Sequence, residues 1–222
     1  MLKSFTALAA AGVLAMGVSA AKADPISLYY SLNGTTYTQL GSTTTNGLNQ
    51  FAASISGTPF TVTFSATGTG TGSSPLAEPN FNTSTIAINS DSAGTLYIAA
   101  LETGITNTNV GSFSVGFGSN ALNAGPIQEM FGVGSNLSLG SAPLLMDTLQ
   151  PNSPNETLTA AAPKLTAPYQ VAEQFKVVFS SAGTIQGTIQ ERAVVPEPLS
   201  LTLLGTGLVG LGLVRRRARK SA

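Results

Sequence analysis

The chain has 222 residues, of which 9% are charged, against roughly 25% in ordinary soluble domains. It contains no Cys and no His, which excludes thiol chemistry, nucleophilic machinery of the Ser-His-Asp or Cys-His kind, and zinc sites built on those ligands. Its formal neutrality hides a segregation of charge, because residues 24–194 hold three cations and nine acids (3 − 9 = −6), and an acidic body excludes nucleic acid as a partner.

The start reads Met1-Leu2-Lys3, an apolar run over residues 5–20, then Ala21-Lys22-Ala23 before Asp24-Pro25. A short basic region, an apolar region and a small-x-small site form the layout of a secretory signal peptide. Residues 1–23 are therefore expected to be a signal helix, cut by signal peptidase between Ala23 and Asp24.

From Asp24 the chain turns to strand signals. Ser27 to Leu32 and Thr35 to Leu40 flank Asn33-Gly34, the strongest short-range signal for a two-residue hairpin. Phe60, Val62 and Phe64 alternate with polar residues, as do Phe113, Val115 and Phe117, then Phe175, Val177 and Phe179, then Ile185 and Ile189. Residues 96–101 form a continuous apolar run that fits a central strand, and 85–89 a shorter one. Residues 67–74, 120–126 and 150–155 are rich in Gly, Ser, Asn or Pro and read as turns, while 155–167 is compatible with a loop and is assigned no element. Frequent turns leave no room for crossover helices. The expectation is an all-β fold over residues 24–193: an antiparallel β-sandwich of roughly eight strands.

The end, residues 194–222, reads Val194-Val195-Pro196-Glu197-Pro198, an uncharged run over 199–214, then Arg215, Arg216, Arg217, Arg219 and Lys220. Sixteen residues of helix span roughly 24 Å, enough to cross a slightly thinned bilayer as a transmembrane helix. The basic cluster would stay in the cytoplasm and the body outside, the orientation that the signal peptide also gives. Pro196 and Pro198 hold residues 195–198 extended, the form in which processing enzymes bind substrate.

This ordered triplet, helix and basic tail resembles the PEP-CTERM sorting signal. The resemblance covers residues 195–222 and implies recognition by an exosortase, a membrane-embedded transpeptidase-like enzyme. It makes Pro196, Glu197 and Pro198 the recognition residues and Arg215 to Arg217, with Arg219 and Lys220, the retention cluster. It also implies release to the cell surface or an exopolysaccharide matrix. Many members of that family have Ser or Thr straight after the second proline, where this chain has Leu199 and then Ser200.

Little in the body points to chemistry. Gly68-Thr69-Gly70-Thr71-Gly72 lacks the lysine and the strand–turn–helix setting of a phosphate loop. No calcium loop of the Asp-x-Asp-x-Asp-Gly kind occurs, and neither metal nor cofactor is implied. Asp91, Glu102, Glu129, Asp147 and Glu173 are the carboxylates from which a two-acid hydrolase site could be drawn, though such acids are more often simply solvated. The sequence thus reads as a non-enzymatic, exported surface or matrix protein. Its rivals are a secreted carbohydrate-binding module, a two-carboxylate hydrolase, and a permanently tethered protein.

Overall fold

The computed structural model describes residues 26–43, 47–68, 81–151 and 153–194, and every regular element in them is a β-strand. In chain order these are β1 (Ile26–Ser31), β2 (Thr38–Thr43), β3 (Gly47–Ser54), β4 (Phe60–Gly68), β5 (Phe81–Ser90) and β6 (Gly94–Ile105). They continue with β7 (Ser112–Leu122), β8 (Ile127–Gly134), β9 (Leu145–Leu149), β10 (Glu156–Ala161), β11 (Tyr169–Phe179) and β12 (Gly183–Val194). The signal peptide, its Ala23–Asp24 site, the Pro-Glu-Pro motif, the apolar run and the basic cluster lie outside the described residues.

The strands form two six-stranded sheets, ordered β2-β1-β6-β11-β8-β9 and β10-β7-β12-β5-β4-β3. All neighbouring pairs are antiparallel. Short turns join β5 to β6, β7 to β8 and β11 to β12, yet the two strands of each pair lie in different sheets. Each of these turns therefore crosses the sandwich, and β6 and β5 come to flank β11 and β12 respectively.

The alternation legible in the sequence sets the faces, because successive side chains of a strand point to opposite sides. Phe60, Val62, Phe64 and Ala66 of β4, Phe113, Val115 and Phe117 of β7, and Val171, Phe175 and Val177 of β11 are all buried in one cluster between the sheets. Phe60 meets Phe179 at 5.8 Å between ring centroids, and Phe113 meets Phe131 at 5.4 Å. Both pairs tie one sheet to the other, and tilted aromatic contacts add about 0.5–1.5 kcal/mol each beyond the area they bury.

Twelve strands stand where roughly eight were expected. The additional ones, β3, β8, β9 and β10, are edge or near-edge strands, and β3 and β10 are rich in Thr, Ala, Gly and Asn without an aliphatic alternation. Strand β10 occupies the first part of 155–167, the stretch to which the sequence assigns no element. The β1–β2 hairpin forms, but not through a two-residue turn: Tyr30 pairs with Thr38, so six or more residues make the connection. Asn33 serves it through its side chain, whose Oδ1 accepts from the backbone N–H groups of Thr35 and Thr36 at 2.9 Å.

Strand β6 is internal, as its apolar run suggests, flanked by β1 and β11. Leu96, Ile98 and Ala100 face the core, and the opposite face of this sheet is overlaid by loops. The N–H groups of Leu137 and Gly140 donate to the side-chain carbonyls of Gln170 and Gln174 at 3.0 and 2.8 Å. Gly140 has φ +81°, and a Cβ there would overlap the carbonyl oxygen of Gly34, so the 135–144 loop meets the β1–β2 loop in backbone contact. Ala99, Ala172 and Gln174 are buried beneath although they point away from the core.

Candidate functional site

The other sheet presents the more open surface. Outward residues here are Thr61, Thr63 and Ser65 on β4, Asn89 on β5, Thr188, Gln190 and Arg192 on β12, Ser114 on β7, and Thr157 and Thr159 on β10. Hydroxyl and amide groups dominate this face. Over β7 it is indented, because Gly116 and Gly118 stand where side chains would otherwise project.

The indentation is a groove of about 180 Å³ lined by Gly116, Gly118, Asn155, Thr157, Thr188 and Gln190, with Glu156 at its rim. Strand register assembles it: β10 brings Thr157 opposite Gly116, and β12 brings Gln190 opposite Gly116 and Thr188 opposite Gly118. Asn155 is fixed over one end, its Oδ1 accepting from the Ser119 N–H at 3.2 Å. The Thr188 hydroxyl donates to the Gly118 carbonyl at 3.4 Å.

The two floor glycines differ in what they exclude. A Cβ at Gly118 would press on Asn155 and Thr188 at 3.0 Å, so close packing asks for glycine there. At Gly116 the nearest atom to a Cβ would be Thr157 Oγ1 at 3.7 Å, ordinary contact, and the backbone is in a region that any residue adopts. Neither strain nor crowding requires glycine at 116. Its effect is to leave space, and glycine inside a strand marks a place where another molecule or backbone comes close.

Beneath this floor lies a carboxyl group. Glu129 of β8 points between the sheets with no solvent exposure, and its two oxygens accept from the Gly118 N–H at 3.0 Å and the Thr188 N–H at 3.1 Å. Both ladders of β12 lose register beside Gly187, and a Cβ at Gly187 would overlap Glu129 Oε1. The irregularity makes room for the carboxyl. Burial pushes Glu129 up to about 9, against the two N–H donors, which lower it, while the neighbouring Asp147 charge adds to the rise.

Of the carboxylates singled out from sequence, the fold brings four onto one inward diagonal. Glu102 on β6 and Glu173 on β11 are diagonal neighbours, as are Glu173 and Glu129 on β8, and Glu129 stands opposite Asp147 on β9. Asp91 is apart, exposed in the β5–β6 turn. The expectation of solvated acids fails for Glu102, Glu129 and Glu173, which are at most 1% exposed. Held between the sheets, these three are out of reach of a polymeric substrate. Glu191 of β12, 2% exposed, is a fourth buried glutamate that the sequence reading passed over. The signal was present: each of the four stands in phase with the apolar residues of its strand, as Glu129 does with Ile127 and Phe131.

A smaller hollow of about 120 Å³ lies on the first sheet among Pro126, Gln128, Thr148, Lys176 and Val178. Gln128 Nε2 donates to Thr148 Oγ1 at 3.3 Å, and the Lys176 ammonium sits 5.9 Å from the centre of the Tyr97 ring, within cation–π range. Among the described residues no group of three acids is placed to hold a metal ion.

No family model and no curated protein matches the chain. Among solved structures, it is similar to the enzymatically active domain of tailspike protein 4 of bacteriophage CBA120, at 13% identity and a TM-score of 0.31. That match covers 67% of this chain but only 19% of the tailspike chain. It is also similar to TmCBM61, solved in complex with β-1,4-galactotriose, at 11% identity and a TM-score of 0.30, covering 62% of this chain and 89% of that one.

Proposed function

We propose that the protein is an exported, non-enzymatic component of the cell surface or exopolysaccharide matrix, whose sandwich binds a neutral glycan chain in the groove over β7. The observation that carries the binding role is Gly116, a mid-strand glycine over the open groove that neither backbone strain nor crowding requires. Hydroxyl and amide groups around it suit a sugar edge, which offers alternating donors and acceptors. The charged group on the rim is a carboxylate, Glu156, which disfavours polyanionic chains. No aromatic face is presented in the groove, because Phe117 turns into the core at 1% exposure, so contact rests on hydrogen bonds rather than stacking. Export and sorting rest on the two ends of the sequence: the leader cut at Ala23–Asp24, and the Pro196-Glu197-Pro198 tail read by an exosortase.

A glycan array bearing neutral and uronate-rich bacterial polysaccharides tests the binding role. Neutral chains are expected to bind, and Gly116→Val, which fills the floor, is expected to abolish binding while leaving the melting temperature near that of the parent. A blank array with folded protein, or undiminished binding by Gly116→Val, would refute the reading.

A further inference from the structure

We infer that Glu129 is a positioning residue for the β7 groove, holding its floor in shape from inside the core. The inference rests on the groove being the binding site. Gly118 and Thr188 stand opposite one another across the β7–β12 pair, and each turns its N–H to one oxygen of the same carboxyl from the opposing sheet. The same two residues line the groove, the bond of Thr188 Oγ1 to the Gly118 carbonyl joins them, and the bond of Asn155 to Ser119 lies one residue further along β7. One side chain therefore sets the spacing of two strands where the ligand would lie. The absence of a Cβ at Gly187 is what lets it approach.

A carboxyl in this position makes the groove sensitive to its proton. Among the described residues the charge that acts on Glu129 is that of Asp147, opposite it on β9, and Glu173 on β11 is its diagonal neighbour. Burial, with the Asp147 charge adding to it, makes Glu129 ionise late. Ionisation would strengthen both N–H bonds as charge-assisted ones and draw Gly118 and Thr188 inward.

The test follows the backbone N–H signals of Gly118, Thr188 and Ser119 and the side-chain amide of Asn155 by NMR. It uses the full chain in detergent micelles, from pH 6 to pH 10. All four are expected to shift with one common midpoint above the ordinary carboxylate range, and Glu129→Gln is expected to remove that midpoint. Glu129→Leu, which takes away both acceptors, should speed hydrogen exchange at Gly118 and Thr188 by about ten-fold or more, the loss of a buried hydrogen bond. The inference is overturned if the Gly118 and Thr188 signals titrate while those of Asn155 and Ser119 stay still. It is equally overturned if the midpoint survives in Glu129→Gln. The NMR readout needs no ligand, so a blank glycan array would defeat the binding reading without touching these signals.

Discussion

Glu129 links one residue to the stability of the sandwich. Its carboxyl has an ordinary value of 4.5 and stands at about 9 in the folded protein. Between those values the folded state holds a proton that the unfolded state has released, so stability attributable to this group is full below pH 4.5 and declines as pH rises towards 9. The slope is at most about 1.4 kcal/mol per pH unit. Urea unfolding at pH 5, 7 and 9 should show Glu129→Gln losing less stability with rising pH than the parent. Equal slopes would mean that Glu129 is ionised across the neutral range. Gly116 gives the complementary case, where the proposed binding role rather than backbone strain or crowding asks for the residue. Gly116→Ala should raise stability by about 0.4–1 kcal/mol by restricting the unfolded chain, while shrinking the groove and weakening glycan binding. A destabilised Gly116→Ala would show that the fold itself needs the glycine.

Elements were legible where a strand carries its own hydrophobic face. The runs at Phe60, Phe113, Phe175 and Ile185 all became strands with those residues inside. Strands β3 and β10 were not legible, because an edge strand is held by the ladder to its neighbour and needs few aliphatic residues of its own. The β1–β2 turn escaped as well: Asn33-Gly34 favours a two-residue hairpin, but Ser31 and Asn33 instead cap a longer loop through their side chains. The groove was hidden for a different reason. Gly116, Thr157 and Gln190 meet only through the β10-β7-β12 register, which crossover topology decides and local pattern does not. Gly140→Ala would force a Cβ against the Gly34 carbonyl at positive φ, and should separate the two loops over the first sheet. Tyr37, whose hydroxyl burial and the neighbouring Tyr97 hold above its ordinary value, should then titrate lower in an ultraviolet pH scan; an unchanged Tyr37 would show that the loops are fixed by other contacts.

The whole molecule is held together by its sheet-to-sheet core, without disulfides, in a chain that has no Cys. Phe175, at the middle of β11 and fully buried, should cost about 3–5 kcal/mol on replacement by Ala, with a single cooperative transition retained in thermal unfolding. A loss below about 1 kcal/mol would mean the two sheets are packed loosely there. Such a core suits the proposed service outside the cell, and a face dominated by hydroxyl and amide groups suits the proposed polysaccharide ligand. The most direct test of this account is intact mass spectrometry of the protein recovered from surface and matrix fractions of its native host. The account predicts a species that begins at Asp24 and ends near Pro196. A species that retains residues 199–222 and occurs only in membranes would contradict it.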